Sequence, residues 1–435
     1  MNWQTSDLKR TWKSVVKHGM GGGIADAIAR WARRRTSVRS DPVSEYQWTL
    51  GTCQPAALMP PKAGPLKISW LLPGLGKANG GLLNIFRAIH NLEKWGHQNR
   101  VYTLDPNSKT GRDARDLIRN GYFSIQAPVE CLGKEVDDSH ALVATNWRTA
   151  YAARGVPNTA GKFYFVQDLE NHFYAEGSLS EFAKETYRWG FHGITLGQWI
   201  AGVLQSEFGM LCSPFGFSYD RDVYSSEGRR PRKQKRVLFY ARPLSERRGF
   251  ELGILALSIV ASKRPDVQIV LVGAPRSEIC VPFPAVLPGV LSPPSLAQLY
   301  RSCDIALVLS HTNMSMLPLE LMASRCAVVS NRGPNVEWML TEETTQLSDS
   351  TPRSIAESIL ALLENETLLE AKVSAAFAFA QQTDWMLEIA KIEDAFYRGL
   401  GLPRTPGPKY PEVRERTVVE ETVDPVMPFR HKEHV

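Results

Sequence analysis

The segment FYARPLSERRGF, residues 239–250, brings three arginines together at the end of an apolar run. Arg242 directly follows the run, and Arg247 and Arg248 precede the first residue of a helical pattern. Guanidinium groups stay charged at neutral pH and bind phosphate oxygens, and the free N–H groups of a helix start also favour an anion. We therefore predict a diphosphate site that uses Arg242 with Arg247 or Arg248. The alternative is a solvated basic turn that Glu246 neutralises.

A second polar segment, FVQDLENHFY at 165–174, follows another apolar run. Its polar and aromatic side chains are Gln167, Asp168, Glu170, His172, Phe173 and Tyr174. Sugars are recognised by hydrogen bonds to their hydroxyls and by aromatic stacking on their apolar ring faces, so this mixture favours sugar binding. Asp168 is the candidate for contacting the transferred sugar or the acceptor hydroxyl. Gln167 and Glu170 are expected on the donor side, and His172 and Tyr174 on the acceptor side.

Each of these segments also has a purely structural explanation. The carboxylates and the amide could cap the following turn, and a single histidine such as His172 is more often structural than catalytic. Asn146, in ATNWRTA at 144–150, is a further acceptor-side candidate that would serve equally well as a helix N-cap.

Two further places at strand ends could hold a ligand. In LPGLGKANGGLLNIF, residues 72–86, Gly80 and Gly81 open a helical pattern and allow the backbone close to a donor. This glycine spacing does not match G-x-G-x-x-G, and packing alone could require it. Glu320 lies in the first turns of a helical pattern that starts near 317. It could accept hydrogen bonds from a nucleoside sugar or act as a buried capping residue.

These candidates follow short β-rich runs that alternate with amphipathic helical patterns, which is typical of parallel βαβ units. The predicted strands are 66–73, 100–104, 141–145, 162–168, 193–197, 236–240, 267–273, 304–310 and 327–331. The predicted helices are 80–96, 147–154, 179–190, 198–209, 249–263, 295–302, 317–325, 353–365 and 383–400. Because the runs are apolar on both faces, their sheets should be covered by helices on both sides.

The pattern divides the chain into two α/β domains, each a doubly wound parallel sheet, with a cleft between them. We place the acceptor-side domain at 63–220 and the nucleotide-binding domain at 221–382, joined by a linker around 218–235. Residues 383–402 form a terminal helix that would cross back onto the first domain. Residues 1–62 form a basic extension, and 403–435 an extended or disordered tail.

Composition narrows the functional class. The net charge of +6 comes mostly from the first forty residues, in which the basic residues are Lys9, Arg10, Lys13, Lys17, Arg30, Arg33, Arg34, Arg35 and Arg39. The rest of the chain is close to neutral, which argues against a nucleic-acid-binding protein. The six cysteines are scattered without metal-ligand spacing, so no metal or cofactor is expected. We expect a cytoplasmic protein whose basic extension contacts the inner membrane surface.

Two segments together carry a resemblance to a known family. Residues 296–331 resemble the donor-binding core of retaining GT-B enzymes of glycosyltransferase family four, and FYARPLSERRGF is similar to the loop that holds the donor diphosphate in that group. Arg242 and Arg248 match the two basic positions of that loop. The resemblance implies two Rossmann-like domains and metal-independent transfer with retention. We assign Ser315, Leu317 and Glu320 to donor binding.

FYFVQDLENHFYAEGS, ATNWRTA and the TYRWG…ITLGQWI run resemble segments of the WsaF-type bacterial rhamnosyltransferases, over about residues 65 to 400. This resemblance implies dTDP-L-rhamnose as donor and a surface polysaccharide or lipid-linked glycan as acceptor. The alternatives are another donor with a UDP or GDP base, or a non-catalytic scaffold that binds nucleotide sugars. Thr312 stands where family four often has the first of two glutamates, so a mechanism that needs that acid is in doubt.

Overall fold

A computed structural model of the chain describes residues 41–76, 79–133, 135–230 and 232–403. Residues 41–52 form a unit of their own. In it, helix α1 (Pro42–Tyr46) begins at Asp41, whose carboxylate accepts a hydrogen bond from the backbone N–H of Val43 at 3.0 Å. A turn of 3-10 helix, Gln47–Leu50, follows. The predicted extension at 1–62 otherwise falls mostly outside the described residues.

Two parallel sheets form the rest of the described chain. The strands of the first sheet are β1 (Lys67–Leu72), β2 (Gln98–Thr103), β3 (Val129–Cys131), β4 (Ser139–Ala144), β5 (Thr159–Val166), β6 (His192–Leu196) and β7 (Cys212–Phe215). Their spatial order is β3-β2-β1-β4-β5-β6-β7. The strands of the second sheet are β8 (Arg236–Tyr240), β9 (Gln268–Val272), β10 (Ala285–Gly289), β11 (Ile305–Val308), β12 (Ala327–Asn331) and β13 (Gln346–Ser348). Their order is β10-β9-β8-β11-β12-β13.

Helices connect the strands and cover the sheets. Those of the first half are α2 (Gly80–Lys94), α3 (Gly111–Gly121), α4 (Trp147–Arg154), α5 (Ser178–Thr186) and α6 (Gln198–Phe208). Those of the second half are α7 (Phe250–Lys263), α8 (Pro293–Arg301), α9 (Leu317–Ala323), α10 (Pro334–Glu337), α11 (Pro352–Glu364), α12 (Glu366–Gln382) and α13 (Trp385–Gly399). The predicted fold class, two doubly wound α/β domains, is confirmed.

The four strands that the sequence pattern missed are the outermost strands of the two sheets. They are β3, β7, β10 and β13, and each has only one neighbouring strand. An edge strand needs fewer apolar residues and tolerates proline, and Pro214 and Pro288 lie within β7 and β10. The pattern of doubly buried strands is therefore weak or absent at these positions. Helices α3, α10 and α12 were also missed.

The connection between the two sheets is packed rather than loose. No helix or strand is assigned between Phe215 and Arg236 among the described residues, as predicted for a linker. However, Tyr219 and Tyr224 are buried, and the ring of Tyr224 stacks on Tyr300 with centroids 5.9 Å apart. This packing ties the connection to helix α8.

Helix α13 packs on the first sheet, although it follows the second sheet in sequence. It begins at Asp384, whose carboxylate accepts a hydrogen bond from the Met386 N–H at 2.7 Å. The buried ring of Phe396 contacts Phe163 edge-on, with centroids 5.1 Å apart. Glu393, also buried, pairs with Nε2 of His97 at 2.9 Å. The helix thus joins the end of the second half to the core of the first.

Residues 404–435, where the extended tail was predicted, lie outside the described residues. Within the described part of the chain, no helix is both long and apolar enough to cross a bilayer.

Candidate functional site

The candidate site lies at the carboxyl ends of the strands of both sheets. In each sheet the strand order reverses beside the first strand, between β1 and β4 and between β8 and β11. Ligands of open parallel sheets bind beyond the strand ends at such reversals. Arg248 follows β8 and Ser310 follows β11, and Nη1 of Arg248 donates a hydrogen bond to Oγ of Ser310 at 2.6 Å. The two loops that flank the reversal in the second sheet are therefore joined by a charged hydrogen bond.

Asp168, which follows β5 of the first sheet, reaches into the loop after β11 of the second. Its Oδ2 accepts a hydrogen bond from the Thr312 hydroxyl at 2.8 Å, and its Oδ1 accepts one from the Asn313 backbone N–H at 2.9 Å. Burial raises the pKa of Asp168, while the bonds from Asn313 and Thr312 and the charges of Arg248 and Arg247 act to lower it. The carboxylate of one domain is thus held by the other.

Asn313 fastens the same loop to the first domain at two more points. Its side-chain Nδ2 donates to the carbonyl of Gln167 at 3.0 Å and to the carbonyl of Leu196 at 2.8 Å. Its Oδ1 accepts a hydrogen bond from the indole N–H of Trp338 at 2.9 Å. Asn313 is fully buried, so every polar group of its amide has a partner where water is excluded.

The three predicted arginines differ in burial and in the groups they contact. Burial lowers the pKa of Arg248 to about 10, and repulsion by Arg247 and Arg242 acts in the same direction, against the attraction of Asp168. Arg248 therefore remains charged at neutral pH. Arg247 lies over the ring of Phe173 at 4.4 Å, and its Nε is 3.9 Å from Oδ2 of Asp168. Arg242 is exposed and lies over the ring of Tyr240.

Glu320 lies in the first turn of α9, as predicted, beside groups from elsewhere in the chain. Burial raises its pKa to about 8, with a further contribution from Asp220, while a hydrogen bond with Tyr224 and the charge of Arg87 act to lower it. Arg87 of α2 is itself bonded to both oxygens of Asp220, at 2.7 and 3.1 Å. Glu320 therefore belongs to a cluster that joins α2, the interdomain connection and α9. Ser315 and Leu317, in the loop before it, are partly exposed.

The glycine-rich turn is connected to the site through Gln167. Nε2 of Gln167 donates to the carbonyl of Gly81 at 3.0 Å, and its Oε1 accepts a hydrogen bond from Asn84 at 2.9 Å. A Cβ at Gly81 would lie 3.2 Å from Gln167 Nε2, closer than nine in ten real contacts, whereas one at Gly80 would meet open space. Gly81 thus allows Gln167 to pack against the start of α2.

Glu170 and Asn146 lie at the start of helix α4. Glu170 is buried, and its Oε2 accepts a hydrogen bond from the Trp147 N–H at 2.7 Å. Asn146 is the N-cap of α4 and forms a capping box with Thr149. Both residues therefore have the structural role, capping a helix start, that was the alternative to ligand binding. Their use in ligand binding stays a prediction.

The two acceptor-side candidates after β5 are placed differently. His172 is exposed, as is the neighbouring Phe173, whose side chain lies under Arg247. Tyr174 is half-buried, and its hydroxyl accepts a hydrogen bond from the indole N–H of Trp147 at 3.1 Å. Arg247 and Phe173 thus join the loop after β8 of the second domain to the polar segment of the first.

Sequence reasoning missed Asn313, Arg87 and Asp220. The polar triplet His311–Thr312–Asn313 directly after an apolar strand was a usable signal for Asn313. Arg87 and Asp220 gave none, because they are 133 residues apart and only the folded chain brings them together.

The protonation of Glu170 makes a testable contribution to stability. Burial raises its pKa from 4.5 to about 8, so the folded protein keeps a proton that the unfolded chain releases above about pH 4.5. The free energy of unfolding should therefore fall as the pH rises from about 5 to 8, and level off above that. Glu170→Gln, which keeps an acceptor for Trp147, should flatten this fall in urea unfolding curves measured across that range.

The control is Glu181→Gln, which alters an exposed side chain on α5 that pairs with Lys184. It should leave the pH dependence unchanged. An equal slope in the Glu170→Gln variant and the native chain would mean that Glu170 is ionised in the folded protein.

Two sequence comparisons relate the chain to known proteins. Residues 235–360 match the WsaF C-terminal domain family. Over 338 residues the chain is 30% identical to the O-antigen biosynthesis protein RfbC of Myxococcus xanthus. The aligned region covers 74% of this chain and 26% of that protein. The chain thus spans about a quarter of the length of this relative.

Solved structures share the architecture at low sequence identity. Sucrose-phosphate synthase from Thermosynechococcus elongatus is 12% identical with a TM-score of 0.58, over 76% of this chain and 98% of that one. Anabaena HepE, in complex with UDP and glucose, is 16% identical with a TM-score of 0.59, over 76% and 98%. WaaG, a glycosyltransferase involved in lipopolysaccharide biosynthesis, is 14% identical with a TM-score of 0.54, over 77% and 100%. The chain therefore shares the fold of these three structures, and its residues 235–360 match the WsaF C-terminal domain family.

Proposed function

We propose that this chain is a glycosyltransferase that uses a nucleotide-diphosphate sugar to build an O-antigen or related surface glycan. Similarity to RfbC and the WsaF C-terminal domain match support this activity. From the resemblance to WsaF-type enzymes we propose dTDP-L-rhamnose as the donor and a growing, lipid-linked glycan as the acceptor. We further propose that the chain works at the inner face of the cytoplasmic membrane, aided by the basic residues before position 40, which lie outside the described residues.

The observation that carries the proposal is the meeting of Arg248 and Asp168 on one loop. Arg248 donates a hydrogen bond to the carbonyl of Asn313 at 3.2 Å, and the N–H of the same residue donates to Asp168. A fixed positive charge from one domain and a carboxylate from the other thus lie on either side of a single residue. Glycosyl transfer needs both, because negative charge grows on the leaving diphosphate while positive charge grows on the sugar.

We assign the departing diphosphate to Arg242 and Arg248, beside the start of α7. The departing group is a strong anion, and two guanidinium groups with helix N–H donors offset its charge without a metal ion. Gly249, at the N-cap of α7, has a φ of +58°, which glycine adopts without strain. A side chain there would also lie 3.1 Å from the His311 ring. The glycine therefore lets the backbone turn sharply between Arg248 and the helix.

We assign to Asp168 the contact with the sugar or with the attacking acceptor hydroxyl. Family-four enzymes often carry an acid at the position of Thr312, and here the Thr312 hydroxyl binds Asp168 instead. The first domain thus supplies a carboxylate where the second has none. In the proposed reaction the acceptor hydroxyl attacks on the face that the diphosphate leaves, the hydroxyl proton passes to a diphosphate oxygen, and configuration is retained.

The donor can be tested by thermal unfolding with dTDP-, UDP- and GDP-sugars. A ligand that binds only the folded protein increases the free energy of unfolding, by about 2.7 kcal/mol at a ligand concentration of a hundred times Kd. The melting temperature rises as a result. dTDP-L-rhamnose should raise the melting temperature, and UDP- and GDP-sugars should not. A rise with a UDP- or GDP-sugar alone would contradict the rhamnose assignment, and no rise with any donor would contradict both the transferase and the alternative of a scaffold that binds nucleotide sugars.

Arg242→Ala/Arg248→Ala should abolish transfer and the donor-induced rise in melting temperature, because the diphosphate loses its positive partners. Loss of one such contact typically slows catalysis by about 10²–10³-fold. Because Arg248 also supports the loop after β11, Arg242→Ala alone is the second variant. It removes an exposed side chain and should lower turnover without lowering the melting temperature of the free protein.

The matched control for these variants is Arg112→Ala/Arg353→Ala, which removes the same charge from two exposed positions on α3 and α11. It should keep native turnover and donor binding. Near-normal transfer in both Arg242→Ala and the double variant would rule out the diphosphate assignment.

Asp168→Asn should lower transfer by about 10²–10⁴-fold while the donor-induced thermal shift remains, since Asp168 is assigned to the sugar and acceptor and not to the diphosphate. Asn keeps the size of the side chain and one acceptor oxygen. Asp116→Asn, at an exposed position paired with Arg119, serves as the control. If Asp168→Asn lost donor binding and turnover together, its role would be to position the second domain.

The anomeric configuration of the product, read by NMR, tests retention.

A further inference from the structure

The connection between the two sheets carries a dense run of basic residues outside the proposed site. Six of the eight positions from 229 to 236, in the sequence RRPRKQKR, are Arg or Lys. The acidic residue nearest to this run on its N-terminal side is Glu227. A charge run of this kind on a defined surface attracts anions, and how its side chains are held decides which anion it fits.

Three of the six basic side chains are anchored to the second domain. Arg229 donates to the carbonyls of Arg301 and Cys303 at 2.9 and 2.8 Å. Lys235 pairs with Glu366 at 2.8 Å, and Arg236 donates to the Ser302 hydroxyl at 2.9 Å. These bonds hold both ends of the run against the domain.

The other three side chains, Arg230, Arg232 and Lys233, are exposed. With Arg301 they surround an open depression of about 650 Å³, which is also lined by Gln298 and Ser302 and has no carboxylate in its wall. Within the described part of the chain, none of these four side chains lies within 4 Å of a carboxylate oxygen. We call the four residues Arg230, Arg232, Lys233 and Arg301 the linker basic surface.

This surface lies at the opposite edge of the second sheet from the proposed donor site. Arg236 is the first residue of β8, and Arg301 ends the helix that precedes β11. Arg248 and Ser310 follow the other ends of those two strands. A strand of five residues spans about 16 Å, so the linker basic surface cannot share the donor diphosphate. Its anion must be a different one.

We infer that the linker basic surface docks the chain on a membrane rich in anionic lipid headgroups. The depression is wide and open, and three of its four cations, Arg230, Arg232 and Lys233, are exposed long side chains. Such an arrangement fits a plane of many phosphates better than one enclosed phosphate, which closed hydrogen bonds would hold. The inference does not depend on the proposed transfer, since it rests on charges at the other edge of the sheet.

Docking can be measured by co-sedimentation of the full chain with vesicles of phosphatidylglycerol and phosphatidylcholine. Each basic residue near an anionic surface strengthens binding about fivefold, so Arg230→Gln/Arg232→Gln/Lys233→Gln should weaken it by about a hundredfold. The control Lys94→Gln/Lys263→Gln/Arg353→Gln removes the same charge from three dispersed, exposed positions, and should weaken binding much less. The donor-induced thermal shift should be equal in both variants.

Three outcomes would overturn the inference. The first is equal weakening in the two triple variants, which would mean that net charge or the basic residues before position 40 determine binding. The second is equal binding of the native chain to vesicles of phosphatidylcholine alone. The third is release of the protein from anionic vesicles by inorganic pyrophosphate, when sodium sulfate of equal ionic strength does not release it. That result would identify a discrete phosphate site.

Discussion

The arrangement of the site depends on a carboxylate that the protein buries between its two domains. Removing the charge of Asp168 from water is costly unless hydrogen bonds and nearby cations replace the lost solvation. The first domain supplies one such bond, from the Leu169 N–H, and the second domain supplies two, from Thr312 and Asn313. The bonds from Thr312 and Asn313 offset part of the rise in pKa that burial causes in Asp168, and the acid in turn holds the loop after β11 against the first domain.

The same loop after β11 binds the main cation of the site. Arg248 loses solvation on burial, yet the attraction of Asp168 compensates in part, so that its pKa falls only to about 10. Hydrogen bonds to the oxygens of Ser310 and Asn313 hold its guanidinium in place. A group that stays fully charged at neutral pH while partly desolvated interacts strongly with an incoming diphosphate. One short loop thus fixes the positions of both an anion and a cation.

Unlike Asp168, the acids Glu170 and Glu320 each contact structural groups within or beside a helix start. Glu170 supports the start of α4 and Glu320 joins the cluster with Asp220 and Tyr224, and burial raises the pKa of each to about 8. Near neutral pH the two acids are therefore mostly protonated and can donate as well as accept hydrogen bonds. Burial raises the pKa of Asp168 as well, but the charges of Arg248 and Arg247 oppose that rise, so the neighbours of each carboxyl group decide how far its pKa moves.

The sequence by itself determined the two α/β domains, all nine inner strands and the loops that carry the candidate residues. Apolar runs buried on both faces can only belong to helix-covered parallel sheets, and polar residues after such runs must lie at the carboxyl edge. Arg242, Arg248, Asp168 and Glu320 were found in this way. The edge strands were not, because strands paired on one side need no strong pattern, as Pro214 and Pro288 illustrate.

Only the tertiary structure decided which of these residues meet. The bonds from Asn313 to Gln167 and Leu196 join positions more than a hundred residues apart, and Arg87 meets Asp220 across a similar distance. The roles of Glu170 and Asn146 at the start of α4 were likewise open in the sequence, because a capping residue and a ligand-binding residue have the same type and spacing. Local patterns record which face of an element is buried, but the partner of a polar side chain depends on how distant elements pack.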